Sequence, residues 1–110
     1  RARARRRPAS DTFAWLRPLL RHVAAELRFV GARDALDRER AALRAAPRPA
    51  NVSEAGRRRA LARVDAIALE RRALNQARPG TPEQGVARDM RRLELAREEM
   101  RLLASIGMAP

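Results

Sequence analysis

His22 is the chain's one imidazole, and the 13 carboxylates of Asp and Glu are its only other side chains suited to moving protons near neutral pH. General acid–base catalysis needs such a group held in a cleft with a displaced pKa. Most of these acids instead stand three or four residues from an arginine, the spacing of ion pairs on a helix surface. Cysteine is absent, so there is neither a disulfide framework nor a thiolate metal site. His22 falls beside an apolar helical seam with no second imidazole or thiol to share a metal, so a structural or interface role is expected of it. No glycine-rich phosphate loop, serine elbow or metal-ligand spacing is visible. The expectation is a protein that is not an enzyme and has no metal or cofactor of its own.

The chemistry that remains belongs to arginine. All 25 basic side chains are arginines, and the formal net charge is +12 over 110 residues. A guanidinium presents a planar fork of donors that grips carboxylate or phosphate in pairs, so the expected partner is acidic. Alanine is equally inflated at 24 residues, as GC-rich codons would make it, so the sign of the charge says more than the absence of lysine. Arg1, Arg3, Arg5, Arg6 and Arg7 lie in a ten-residue arm without an acid, the composition of a mitochondrial targeting segment or a nucleic-acid-binding arm. The first residue is not methionine, as a processed start would have it. Arg57, Arg58 and Arg59 form a second cluster; three consecutive residues span nearly a whole helical turn, so at least one should face solvent.

The elements that must hold these groups read as helices only. Residues 1–10 form the basic arm and residues 11–110 a single domain, an antiparallel three-helix bundle whose long first helix overhangs the others. Only 26 residues are Val, Ile, Leu, Met, Phe or Trp, so the core must be thin. Phe13, Leu16, Leu20, Val23, Leu27 and Val30 recur at steps of three and four along one helical face. Ser10 or Asp11 is the expected cap, and Pro18 marks a kink or the true first turn. Gly31 is a candidate bend, beyond which Leu36 and Leu43 continue a shifted stripe to about Ala46, before Pro47 and Pro49. A second helix opens at Asn51-Val52-Ser53-Glu54, buries Leu61, Val64, Ile67, Ala68 and Leu74, and stops at Arg78-Pro79-Gly80. Thr81-Pro82-Glu83-Gln84 supplies cap, first-turn proline, acid and capping-box glutamine for a third, from Pro82 to about Ala104. Its seam is Val86, Met90, Leu93, Met100 and Leu103, with Gly107 as terminator. No 18-residue apolar run could span a membrane as a helix.

Trp15-Leu16-Arg17-Pro18-Leu19-Leu20-Arg21 resembles the opening signature of the mitochondrial LYR superfamily: Leu-Tyr-Arg, one variable residue, two aliphatics and an arginine. Arg17, Leu19, Leu20 and Arg21 agree directly, while Trp15 and Leu16 replace the family's leucine and tyrosine. Leu43-Arg44 resembles a second, mid-chain signature. Val52-Ser53-Glu54 and the ending Ala104-Ser105-Ile106-Gly107-Met108-Ala109-Pro110 look like features of the branch called formation of mitochondrial complexes, which assists ATP synthase assembly. The resemblance implies an adaptor or accessory subunit in the mitochondrial matrix, within a respiratory complex, ATP synthase or mitoribosome. Such an adaptor docks the acidic acyl carrier protein through Arg17, Arg21 and Arg44. It receives the acyl-phosphopantetheine of that partner among Leu16, Leu20, Leu61, Val64, Met90 and Leu93; plain core is the other reading of that stripe.

The rival expectation is a mitochondrial ribosomal protein that clamps ribosomal RNA phosphates through Arg1, Arg3, Arg5, Arg6, Arg7, Arg57, Arg58 and Arg59. Phe13, Trp15 and Phe29 are the only aromatics, so bases would find no stacking platform. A coiled-coil scaffold is a third reading, opposed by the prolines and by heptads that shift phase.

Overall fold

The structure, a computed structural model, describes residues 13–110, and these fold into three helices with no strand among them. They are α1, Leu16–Ala45; α2, Glu54–Gln76; and α3, Pro82–Ser105. The basic arm and the expected caps Ser10 and Asp11 lie outside the described residues. α1 starts after Trp15 with no side-chain cap. Pro18 is its third residue, in the first turn, where a backbone amide has no preceding carbonyl to serve, so the proline costs no hydrogen bond. Gly31 does not end α1, which runs unbroken for 30 residues until Ala46 turns extended ahead of Pro47.

The other helix ends are fixed by local chemistry. In α2 the cap is Ser53, whose Oγ accepts from the Gly56 amide at 3.0 Å. In α3 Thr81 Oγ1 accepts from the Gln84 amide at 3.1 Å, and Gln84 Oε1 accepts from the Gly80 amide at 2.8 Å. That is the expected reciprocal box, reaching one residue further back than usual. α3 ends in a Schellman motif: the Met108 amide donates to Leu103 O at 2.9 Å and the Gly107 amide to Ala104 O at 3.1 Å. Gly107 sits at φ 79°, in the left-handed region where a Cβ is strained.

α3 is the middle element. It packs parallel to α1 on one side and antiparallel to α2 on the other, while no Cα of α1 comes within 8 Å of one in α2. The directions follow from the ion pairs that cross each seam. Arg63–Glu98 and Glu70–Arg91 run in opposite senses along α2 and α3; Glu39 and the Leu36 side of α1 meet Arg97 and Met90 in the same sense. At 100° per residue Met90, Leu93, Arg97 and Arg101 share one face of α3, and Arg91, Leu95 and Glu98 share a face roughly 120° away. Two faces on α3 make the molecule flat and long, with extents of 82 × 27 × 17 Å and a radius of gyration of 21.6 Å. A compact domain of this length would have a radius of about 13 Å.

The core is as thin as the composition requires: among the described residues Leu36, Ala60, Ile67, Leu95, Met100 and Ile106 are buried, and only Ile67 and Leu95 are fully enclosed. Several expected core residues are not in it. Leu61 and Ala68 are exposed, and Val64, Leu74, Val86, Met90, Leu93 and Leu103 are half-buried. The larger correction concerns the first seam. Phe13, Leu20, Val23, Leu27 and Val30 are 44–67% exposed, and only Leu16 is half-buried. On the helical wheel the stripe that packs on α3 (Ala32, Leu36, Glu39, Leu43) lies roughly 180° from that seam. α1 therefore carries two apolar stripes on opposite sides: the inner one holds the fold and the outer one meets no part of the described chain.

Candidate functional site

Charge in this structure is sorted by depth. The acids nearest the helix interfaces are taken up by arginines of the neighbouring helix rather than of their own turn, a correction to the expected intrahelical pairing. Arg63 Nε donates to Glu98 Oε2 and its Nη2 to Oε1 at 2.8 Å, a two-pronged clamp between α2 and α3. Arg91 clamps Glu70 in the same way at 2.6 and 3.1 Å, and Arg71 reaches Glu99 at 3.1 Å. Across the other seam Glu39 accepts from Arg97 at 2.6 Å and from Arg101. Hydrogen bonds from Arg101, Arg91 and Arg63 respectively hold the Glu39, Glu70 and Glu98 carboxyls below their ordinary value. A carboxylate so neutralised is a poor proton acceptor, and no cluster of three or more potential metal ligands occurs among the described residues. Pairs of the expected intrahelical spacing stand beside these clamps at His22–Glu26, Asp37–Arg40, Asp89–Arg92 and Arg91–Glu94.

What the acids leave over is an outer set of arginines. Arg17, Arg21, Arg28, Arg33, Arg44 and Arg48 are exposed and make no ion pair within the described residues. Arg17, Arg21 and Arg28 fall within roughly 40° of one another on α1, on the side of the rod between its outer seam and its α3-facing stripe. Glu26 lies near the opposite border, 3.5 Å from His22 Nε2. Seven of the ten large exposed apolar side chains lie between residues 13 and 30, Trp15 and Leu19 among them. Lone exposed leucines are ordinary; a continuous ridge of them beside unpaired guanidiniums is how a binding surface is built.

The residues singled out from sequence are thus only partly brought together. Arg17 and Arg21 share the projecting half of α1, but Arg44 lies 27 residues further on, roughly 40 Å along the same rod. Its Nε donates to Pro110 O at 3.1 Å, beside a groove of about 450 Å³ floored by Leu43, Pro47, Pro49 and Met108. Leu16 and Leu20 do not join Leu61, Val64, Met90 and Leu93 around one space: Leu20 is 61% exposed, and α1 and α2 stand on opposite sides of α3. Met90 and Leu93 border a small recess of about 110 Å³ with Leu36. Arg57 is half-buried while Arg58 and Arg59 are exposed on α2; Arg1, Arg3, Arg5, Arg6 and Arg7 lie outside the described residues. Sequence reasoning passed over Arg28, although its steps of seven from Arg21 and eleven from Arg17 place all three on one side of a helix.

No known protein family, curated protein or solved structure matches the chain. No helix among the described residues is long and apolar enough to cross a membrane.

Proposed function

We propose that this chain is a non-enzymatic helical adaptor, an accessory subunit or assembly factor of a larger complex, that docks an acidic protein through arginines on the projecting half of α1. The observation that carries the reading is the pairing of guanidiniums at Arg17 and Arg21, unmatched within the described residues, with an apolar seam that the rest of the described residues leave exposed. The sequence resemblance makes acyl carrier protein the partner to try first and the mitochondrial matrix the place to look. Arg44 is too far along α1 to share a compact partner's footprint with Arg17. An acyl chain delivered by the carrier would meet open surface rather than a passage between α1 and α2, so protein–protein contact is the main attraction.

A double charge reversal, Arg17→Glu with Arg21→Glu, is expected to abolish co-purification of an acidic protein with the tagged chain. Native mass spectrometry of the wild-type complex reads the partner directly. Retention of the same protein by the double variant refutes the reading. The ribosomal RNA alternative has support in the exposed, unpaired Arg58 and Arg59; under it, native mass spectrometry finds RNA fragments and nuclease treatment releases the chain.

A further inference from the structure

The outer seam of α1 has a period that says what covers it. Phe13, Leu16, Leu20, Val23, Leu27 and Val30 follow steps of 3-4-3-4-3, the heptad spacing with which one helix packs along another. The next two positions of the same register are Asp34 and Asp37, so the stripe stops abruptly after Val30. The inner, α3-facing stripe begins at Ala32 on the other side of the rod. The seam is therefore a bounded strip of roughly 21 Å from Leu16 to Val30, about two heptads, with one end at the start of the helix and the other at two carboxylates.

The charges flanking the strip select the occupant. In heptad register Arg17 is the e-type residue of one flank, with Arg21 and Arg28 at b-type positions further round the same side; Leu19 and Glu26 form the other flank. A second copy of this chain fits poorly. Antiparallel self-pairing sets the flank that carries Arg17 against the same flank of its twin, and parallel self-pairing places no carboxylate of α1 opposite Arg17. Neither direction brings a carboxylate of α1 to Arg17 or Arg21, and either doubles a charge of +12. A lipid surface would take the apolar ridge, but it would also have to accept Glu26 at the ridge's edge and would have no use for a 3-4 register.

We infer that the Leu16-to-Val30 seam of α1 docks one amphipathic helix of an acidic partner, about two heptads long, with carboxylates along the edge that meets Arg17, on the side of the rod that also carries Arg21 and Arg28. This deepens the adaptor reading and rests on it for the partner's acidity. It adds the mode of contact: side-by-side helix pairing on the projecting half of α1, leaving α2 and α3 free.

The probe is a designed 21-residue peptide with leucine at a and d, glutamate at e and glutamine at g, compared with a twin carrying lysine at e. Fluorescence anisotropy against the whole chain is expected to show binding of the glutamate peptide and at least about tenfold weaker binding of the lysine peptide, the ratio given by about 1.4 kcal/mol. Leu20→Glu with Leu27→Glu abolishes the glutamate peptide's binding. Leu69→Glu, on the exposed side of α2, leaves it unchanged, and circular dichroism confirms that each variant is helical. Equal binding of both peptides, insensitivity to the Leu20/Leu27 pair, or sedimentation of the chain alone as a dimer that this pair disrupts overturns the inference. So does tighter, seam-dependent binding to phosphatidylserine vesicles than to the glutamate peptide. Loss of the native partner in the Arg17/Arg21 reversal alongside peptide binding that ignores the seam would sink this inference and leave the adaptor reading standing; the converse pattern would do the opposite.

Discussion

Two glycines, one inside α1 and one just beyond the end of α3, have opposite tasks. Gly107 occupies the left-handed position that closes α3, and Ile106 just before it is buried, so this turn helps tie the chain end to the core. Gly107→Ala is expected to lower stability by about 1 kcal/mol, read as a shift of the thermal midpoint. Gly31 has ordinary helical surroundings with nothing within 4 Å of where a Cβ would stand. There alanine should raise helix content by up to about 1 kcal/mol of local propensity, seen as slower amide exchange around residue 31. The C-terminal stop was legible in Ile106-Gly107, as was the start of α3 in Thr81-Pro82-Glu83-Gln84, because caps are satisfied within four residues. Leu95 was not legible. It stands off the Val86–Met90–Leu93 stripe, and only the presence of a second helix on that side explains its burial.

Between elements, the arginine–carboxylate clamps work where apolar area is scarce. Glu39, Glu70 and Glu98 titrate below their ordinary value of 4.5 in the folded protein. A carboxyl depressed on folding contributes stability that is complete above the unfolded value and disappears as pH falls through the folded one. The thermal midpoint should therefore be level from pH 7 to about pH 5 and decline below about pH 4.5, with the decline blunted in Glu70→Gln; differential scanning calorimetry across that range tests both. The apolar contribution is concentrated at two sites. Ile67→Ala or Leu95→Ala should cost about 2–4 kcal/mol, while Leu27→Ala on the outer seam should stay within about 0.5 kcal/mol, as measured by urea denaturation. Acid and arginine spacing along each helix revealed that ion pairs would form but not with whom. The same residues satisfy an i, i+4 rule and an interhelical one, and only the arrangement of helices decides between them.

The whole molecule is a strip of helices rather than a globule. Small-angle scattering should return a radius of gyration near 21.6 Å for residues 13–110, far above the roughly 13 Å of a compact domain. Tertiary arrangement is where sequence reading fell shortest. The all-helical class, three segments and overhanging first helix were legible from periodicity and breakers. That α1 and α2 would take opposite sides of α3 was not, since the apolar stripes of α1 differ in direction only by the six-residue step from Val30 to Leu36. Such a step breaks the alternation of threes and fours, and it turns the apolar side by roughly 120° around the rod.

Because α1 is one unbroken rod, its two stripes are locked in phase. A single alanine inserted after Gly31 would rotate everything upstream by 100° and advance it by about 1.5 Å, leaving the packing on α3 intact. Whatever rides on the far end is thereby held at a set azimuth relative to the body, so α1 acts as a gauge for its cargo's bearing as well as a surface for its capture.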